Sequence, residues 1–492
     1  MVVAGRRISL AGVAWALALA AAFLAGVSYL EHAWALLRFP FEVDPGEGFD
    51  VNGAVVLLAG GELYGDSTRF PFFALNYPPV YPLLLAPLVA IWGPSVVVGR
   101  ALSVAAGLAV ALLIGLAVRM PRPNRLPALL AGLGFLASAY AVHVMPLARV
   151  TSLMLLFGVA GLLALERGVE SRTSSQRWMF IGVIFLIAGV YTKPVGLDAA
   201  VAGAAYLAWR RPPSWLFMLA TGLVLGGGVH LGLNWSSAGR YFDSVYLANA
   251  FPWDFEQAFS YWRNFFETHG PLLILAAVGL IGHLLGRWPS VWLFYLAAGV
   301  ATAATAGRWG AGESYFLPII ISCCVLGGRA LAWGMPGALG GQIFGVSAFG
   351  LYVLTAGVGP WPLHNLIPGW DRGFQAQLSR NPTPADIPAG ERIIAFVRGV
   401  SGPVLSEGAG YILAEGGTVI GNPMQIRGLY SHGLYDPGRL DQALTEHRIK
   451  GVILLGQWYP PETLGAIGDS YVQVDRVEVG LNTYLLLRPR AG

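Results

Sequence analysis

Four carboxylates lie within nine residues, in the segment that follows the first apolar run. They are Glu42, Asp44, Glu47 and Asp50, and Pro45 between two of them favours a tight turn. A carboxylate at a membrane surface, partly removed from water, can act as a general base with a raised pKa. The same oxygens could bind a hard divalent cation, or the segment could be a solvated acidic loop. The residue types alone leave these three interpretations open.

Three cationic residues at the predicted outer ends of apolar runs could hold an anion. Lys193, in the tripeptide Thr-Lys-Pro, would bind a phosphate as a point charge. Arg308 and Arg149 suit bidentate phosphate binding. In the alternative interpretation, Lys193 extends to the membrane surface without a ligand, and Arg308 pairs with Glu313.

A second motif contains paired prolines. Asn76 and Tyr77 open the sequence Asn-Tyr-Pro-Pro-Val-Tyr-Pro, in which the prolines restrict the backbone. Tyrosines of this kind often lie at the level of the lipid headgroups. The motif therefore predicts either a rigid interfacial anchor or a substrate-binding segment.

The composition identifies the surroundings of these residues as a lipid bilayer. Of 492 residues, 55% are hydrophobic and only 12% are charged, whereas soluble domains average about 25% charged. The net charge of +4 is too small and too scattered to indicate nucleic-acid binding. The histidines are isolated and show no zinc-binding spacing, so the sequence predicts no certain cofactor, although a divalent metal at the acidic loop stays open.

The apolar runs predict a polytopic α-helical membrane protein with about eleven spans. They lie at 9–30, 95–118, 126–144, 150–165, 178–192, 194–209, 214–235, 270–286, 290–306, 314–333 and 337–357. The first run could be a cleaved signal peptide, but its length favours an uncleaved span. Because Arg6 and Arg7 precede it, the positive-inside rule predicts a cytoplasmic N-terminus in a multi-pass protein of the inner or plasma membrane.

The loops rich in arginine all fall on the cytoplasmic side only if the apolar stretch 80–92 does not cross the bilayer. Its several prolines predict a juxtamembrane or re-entrant segment on the outer face. The division that results is a transmembrane domain over residues 1–358, with outer loops 31–94 and 236–269. The remainder, 359–492, is predicted to be a small extracytoplasmic α/β domain.

The predicted C-terminal domain alternates helix-like and strand-like segments. Glu391–Arg398 and Pro437–His447 are helical in pattern. Gly402–Ser406 and Gly451–Leu455 are typical of strands, and a hairpin over 472–487 closes the domain.

The order of these motifs resembles that of the polytopic C-type (GT-C) glycosyltransferases. This group includes the protein O-mannosyltransferases and the lipid A aminoarabinose transferases, and the chain is most similar to a bacterial, family-39-like branch related to dolichyl-phosphate-mannose-protein mannosyltransferases. The resemblance is carried by the acidic loop, the Asn-Tyr-Pro-Pro motif, and the segments around Arg149, Lys193 and Gly310 to Leu317. It departs from the family pattern at Thr151, Pro194 and Ser314.

This resemblance implies a definite reaction. Such enzymes transfer a monosaccharide from a polyprenyl-phosphate carrier to an acceptor on the extracytoplasmic face, with inversion at the anomeric carbon. Asp44 would be the general base, and Glu47 its helper or a contact to the acceptor. Lys193, Arg308 and Arg149 would hold the departing phosphate, and Asn76 and Tyr77 would contact the substrate. The transferred group would be a hexose or pentose, and the acceptor a glycan, a lipid or a protein.

Two other functions remain open from the sequence. A transporter or flippase for a lipid-linked sugar would share the topology but should carry functional charges within its spans, and the apolar runs are almost free of them. A non-catalytic envelope assembly protein would work through its C-terminal domain and would not need the acids of the first loop.

Overall fold

A computed structural model gives the architecture of the chain. The structure describes residues 2–3, 6–7, 9–120, 123–171, 173–285, 290–333, 339–356 and 380–490. The predicted domain boundary at residue 358 lies outside these ranges.

The N-terminal part is a helical bundle. Its helices are α1 (Leu10–Arg38), α2 (Gly46–Leu58), α3 (Val80–Trp92), α4 (Val96–Arg119), α5 (Arg125–Ala137), α6 (Ala139–Val144), α7 (Val150–Glu170), α8 (Ser175–Val190), α9 (Leu197–Arg210), α10 (Pro212–Thr221), α11 (Gly227–Ser236), α12 (Arg240–Val245), α13 (Phe255–Leu284), α14 (Val291–Ala304), α15 (Leu317–Trp333) and α16 (Leu339–Ala356). Two short strands, β1 (Val2–Val3) and β2 (Arg6–Arg7), precede them. A π-helical turn, Gly222–Gly226, joins α10 to α11.

Hydrophobic packing orders the bundle. Among the described residues, six helical segments are long and apolar enough to cross a membrane: Leu10–Arg38, Val96–Arg119, Val150–Glu170, Pro212–Ser236, Phe255–Gly282 and Glu313–Trp333. Shorter apolar helices, including α5, α8 and α14, pack between them. The α15 helix is almost entirely buried, whereas the segment from α10 to α11 exposes its apolar side chains, as expected beside lipid. The count of eleven spans stays a prediction.

Three local features of the structure were not anticipated from the sequence. The proline-containing stretch 80–92 forms a continuous helix, with Pro82 in its first turn, where no intrahelical N–H donor is needed, and Pro87 in its interior. That this stretch does not cross the bilayer stays a prediction. The predicted outer loop 236–269 gives way at Phe255 to α13, which continues past residue 270 without a break. Conversely, the single span predicted at 126–144 divides at Ser138, which ends α5 and precedes α6.

The bundle also contains an ion pair that the apolar runs concealed. Arg329 of α15 donates two hydrogen bonds to the carboxylate of Glu166 of α7, at 2.8 and 2.6 Å. The same guanidinium donates to Ser290 and to the carbonyl of Ala117, and the indole of Trp292 donates to Glu166. Since these groups satisfy one another, the pair joins helices and does not resemble an open path for ions.

The C-terminal part is an α/β unit, as predicted. Its strands are β3 (Val404–Ser406), β4 (Gly451–Leu454), β5 (Tyr471–Val479) and β6 (Asn482–Pro489), and its helices are α17 (Asp386–Arg398), α18 (Ala409–Ala414), α19 (Pro423–Ser431), α20 (Gly438–Thr445) and α21 (Pro461–Ser470). The sheet order is β3-β4-β6-β5, with β3 parallel to β4 and the other pairs antiparallel. Apolar side chains cover both faces of the sheet, so helices flank it on two sides. The sequence missed α18, α19 and α21.

This C-terminal unit packs directly on the acidic loop between α1 and α2. The buried carboxylate of Glu42 accepts a hydrogen bond from the backbone N–H of Gly410, at 2.8 Å. Asn482 donates its side-chain amide to the carbonyl of Val43, at 2.9 Å. The loop is therefore held by residues from both parts of the chain.

Candidate active site

Asp44 presents a carboxylate at the start of α2. Its Oδ1 accepts the backbone N–H of Gly46 at 2.8 Å, which closes a tight turn, and a hydrogen bond from Nη1 of Arg149 at 2.7 Å. Among the described residues, Oδ2 has no hydrogen-bond partner, and 37% of the side chain is exposed. One oxygen of Asp44 is thus fixed, and the other is free to receive a proton.

Arg149 joins this carboxylate to a second one. Its Nε lies 3.1 Å from Oδ2 of Asp50, which is buried, and its Nη2 lies 3.5 Å from the hydroxyl of Tyr77. Burial raises the pKa of Asp50 to about 6, although the charge of Arg149 opposes the shift. The guanidinium passes directly over Gly46, where a Cβ atom would overlap with it. Glycine at this position is therefore what lets the two acids share one arginine.

Glu47 occupies a different environment from Asp44. Its side chain is fully buried and forms a two-point ion pair with Arg100 of α4, at 2.8 and 2.6 Å. It also accepts the backbone N–H groups of Val43 and Ala148. Glu47 lines neither cavity described below. We therefore expect it to position the loop and not to contact a substrate.

Arg100 is the functional neighbour that sequence reasoning missed. Besides binding Glu47, its guanidinium donates to the carbonyl groups of Leu36, Phe39 and Phe41. It thereby fixes the chain between α1 and α2. The available signal was an arginine within an otherwise apolar run.

Lys193 follows α8 in an extended conformation. Its ammonium donates to the hydroxyl of Thr151 at 3.2 Å and lies 5.9 and 5.3 Å from the ring centres of Tyr77 and Tyr315. Burial and then repulsion from Arg149 lower the pKa of Lys193 to about 8. A buried cation in such surroundings is favoured when an anion binds beside it.

Several of these side chains line one cavity of about 390 Å³. Its walls include six of the seven residues that the sequence singled out: Asp44, Asn76, Tyr77, Arg149, Lys193 and Arg308. Among the described residues, Arg308 and Glu313 form no ion pair. The alternative interpretation of Arg308, in which it pairs with Glu313, was therefore wrong. We call this space, with its three cations, the cationic cavity.

A second cavity, of about 230 Å³, shares Asp44 and Pro45 with the first. Its other walls come from α1, from His143 and from the C-terminal unit. There His32 and Asn381 are joined by a hydrogen bond of 2.6 Å. We call this space the C-terminal cavity, and Asp44 lies on the wall of both.

The acids of the loop are held apart by arginine side chains. Within the described ranges, no three metal-ligating side chains of His, Cys, Asp or Glu come together. Arginine side chains instead contact both oxygens of Glu47 and one oxygen each of Asp44 and Asp50. A cation between these acids would have to displace a guanidinium.

Comparison with solved structures identifies the fold. No protein-family model matches the chain, and no curated protein matches it in sequence. ArnT from Cupriavidus metallidurans, in the apo state, superposes with a TM-score of 0.64 at 11% identity, covering 94% of this chain and 97% of ArnT. ArnT bound to undecaprenyl phosphate gives a TM-score of 0.62 at 12% identity, with the same coverage.

A more distant similarity links the chain to the oligosaccharyltransferase AglB from Archaeoglobus fulgidus, solved with an inhibitory peptide and a dolichol-phosphate. The TM-score is 0.54 at 11% identity, over 89% of this chain and 69% of AglB. Agreement over nearly the whole chain covers both the helical bundle and the C-terminal unit. The chain therefore has the fold of the polytopic C-type glycosyltransferases.

Proposed function

We propose that this protein is a membrane glycosyltransferase that moves a hexose or pentose from a polyprenyl-phosphate carrier to an acceptor. The observation that carries the proposal is the cationic cavity, in which Asp44 shares one space with Arg149, Lys193 and Arg308. A sugar phosphate that reacts there needs positive charge on its leaving group and a base for its attacker. This cavity offers both.

The three cations suit the phosphate of the carrier. When the bond between the anomeric carbon and the phosphate oxygen breaks, the electron pair leaves with the phosphate and its negative charge increases. Fixed cations in a site partly closed to water stabilise that change. Among the structural neighbours, ArnT was solved with undecaprenyl phosphate, and the same class of ligand suits the cavity of this chain.

The hydrogen bonding of Asp44 supports its assignment as the general base. Its Oδ2 has no hydrogen-bond partner in the part of the chain that the structure describes, while Oδ1 is fixed by Gly46 and Arg149. The proton of an acceptor hydroxyl or amine passes to Oδ2 as the acceptor atom attacks the anomeric carbon. The bond to phosphate breaks on the opposite side, so the configuration inverts.

The C-terminal cavity supports an acceptor site on the other side of Asp44. It lacks the cluster of cations. Its polar lining includes His32, His143, Asn381, Asn482 and Arg380, together with the carboxylates of Glu42 and Asp386. Amide and imidazole groups of this kind can bind hydroxyl groups of a glycan, a lipid or a protein. With the predicted topology, both cavities face the extracytoplasmic side of the inner or plasma membrane.

The direct test uses the full chain, purified and reconstituted in lipid nanodiscs. Undecaprenyl phosphate bearing labelled mannose, glucose, galactose or arabinose is offered, with an envelope extract as the acceptor source. We expect one donor to lose its sugar only when the extract is present, and Arg308→Gln to slow that loss. Arg240→Gln is the matched control, since Arg240 pairs with Glu62 outside both cavities. Carrier translocation across liposomes without any transfer would instead support the transporter.

The titration of Lys193 predicts how carrier binding depends on pH. Its pKa of about 8 means that the ammonium is charged below this pH and becomes neutral above it. The second pKa of a phosphate monoester is about 6, so the charge of undecaprenyl phosphate is constant over this range. We expect its affinity to fall about tenfold between about pH 8 and about pH 9.5.

Binding of bare undecaprenyl phosphate to the nanodisc-embedded protein measures this effect. Lys193→Arg should remove the dependence, because an arginine stays protonated throughout the range. A wild-type protein whose affinity does not change with pH would show that Lys193 does not face the phosphate.

A further inference from the structure

The wall of the cationic cavity also carries a group of aromatic side chains. Tyr77, Tyr246, Phe251, Trp309 and Tyr315 all line it. A phosphate needs none of these rings. Their presence therefore calls for a second part of the ligand, one with an apolar face.

Trp309 contacts two neighbouring side chains, Phe251 and Arg427. Its centre lies 4.9 Å from that of Phe251, in an edge-to-face arrangement. The guanidinium of Arg427 lies over the indole at 4.3 Å from its centre, a cation–π contact. Arg427 is not among the residues that line the cavity, so it supports the ring from behind.

The loop that bears Trp309 is fixed by its surroundings. The side chain of Gln257, in α13, donates to the carbonyl groups of Ala306 and Arg308, at 2.8 and 2.7 Å. The backbone N–H of Asp254 donates to the carbonyl of Gly307. Trp309 is thus presented on a rigid turn, directly after the proposed phosphate ligand Arg308.

Arg427 belongs to α19 of the C-terminal unit, and this helix packs against the helical bundle. Asn422 donates to the carbonyl of Ala74, and Gln425 donates to the hydroxyl of Ser244. A Cβ on Gly428 would lie 1.8 Å from the carbonyl oxygen of Ala248, so only glycine permits this approach. The position of Arg427 behind Trp309 follows from these contacts.

Two amide side chains stand beside the aromatic wall. The Nδ2 group of Asn249 donates hydrogen bonds to the backbone carbonyl groups of Asn76 and Val245. The side-chain Oδ1 of Asn76 accepts a hydrogen bond from Nδ2 of Asn422. Among the described contacts, this leaves Oδ1 of Asn249 and Nδ2 of Asn76 for a ligand. An acceptor and a donor next to an apolar ring suit the hydroxyl groups and the C–H face of an uncharged sugar.

We propose that Trp309 is the platform on which the donor sugar lies, and that the C-terminal unit positions this platform through Arg427. The inference rests on the proposed function, because it concerns the sugar carried by the same phosphate. In this proposal the C-terminal unit takes part in sugar selection, and it also supplies part of the wall of the C-terminal cavity. Trp309 contacts the substrate, and Arg427 is a positioning residue.

The test compares two probes in full-length protein in nanodiscs, with Asp44→Asn introduced in every sample to prevent turnover. The probes are bare undecaprenyl phosphate and the sugar-bearing carrier that the wild-type protein consumes. Trp309→Ala should weaken binding of the sugar-bearing carrier about three- to tenfold and change that of the bare carrier less than about twofold. Trp235→Ala is the control, because this tryptophan is 88% exposed and lines neither cavity.

Arg427 is tested by rescue. Arg427→Gln should reduce the preference for the sugar-bearing carrier, and Arg427→Lys should restore much of it by returning a cation to the ring. An unchanged preference in Trp309→Ala, with both carriers still bound, overturns this inference alone. Equal weakening of both carriers also overturns it. Failure of the parent protein to bind either carrier overturns the proposed function itself.

Discussion

Replacing Asp44 with asparagine is expected to lower the rate of sugar transfer by about 10²- to 10⁴-fold, the usual contribution of a general base. Asparagine preserves the size of the side chain and can accept from Gly46 and Arg149, but its amide cannot take a proton from the acceptor. Arg149 also retains its ion pair with Asp50. Binding of bare undecaprenyl phosphate should therefore change little, and the loss should appear in turnover.

The matched control for this substitution is Glu62→Gln. Glu62 belongs to the same outer segment, is largely exposed and lies outside both cavities, so turnover should stay near that of the wild type. The measurement is release of labelled sugar from the carrier at saturating donor. Full turnover in Asp44→Asn would contradict the assignment and direct attention to Asp50, whose buried carboxyl has a raised pKa.

The second large effect is on stability. Glu47→Gln should destabilise the folded protein by about 3–5 kcal/mol, because it leaves the guanidinium of Arg100 buried without a counter-charge. Both side chains are fully buried, so water cannot replace the lost carboxylate. The measurement is the unfolding temperature in detergent at one fixed scan rate, together with the fraction that remains monodisperse.

Glu415→Gln is the matched control, because it removes the carboxylate from a two-point ion pair that is exposed instead of buried. Glu415 also forms a two-point pair, with Arg398, but the arginine side chain is 67% exposed, and water replaces most of what such a surface pair contributes. Normal stability in Glu47→Gln, together with a loss of turnover and intact carrier binding, would refute the positioning role. It would instead make Glu47 a catalytic helper of Asp44.

Local patterns were sufficient for much of the fold. Apolar runs located the helices of the bundle, because a helix in lipid must be apolar over most of its length. In the C-terminal unit, β4 at Gly451–Leu454 and the hairpin of β5 and β6 matched their predicted segments. Proline was overweighted at Pro82, since a proline in the first turn of a helix costs little, and the helix also continues through Pro87 in its interior.

The candidate site was predictable in its residue types but not in its arrangement. Asp44 and Glu47 are equivalent as acids in the sequence, and only the turn into α2 directs one to the cavities and the other to Arg100. Arg100 lies 53 residues from its partner, a distance at which no local periodicity applies. Trp309 and Arg427 come from separate parts of the chain and meet only through docking of α19.

The contact between Glu42 and Gly410 has a consequence for the biogenesis of the protein. The two residues are 368 positions apart, and Asn482 is 439 positions from its partner Val43. Synthesis proceeds from the N-terminus, so the acidic loop exists long before the groups of the C-terminal unit that contact it, although Arg100 and Arg149 precede them in the chain. During that interval Glu42 lacks the N–H group that compensates for its burial, so we expect its carboxylate to stay hydrated. Burial of Glu42 is therefore expected among the last steps of folding, and chains that end before Gly410 would lack this contact.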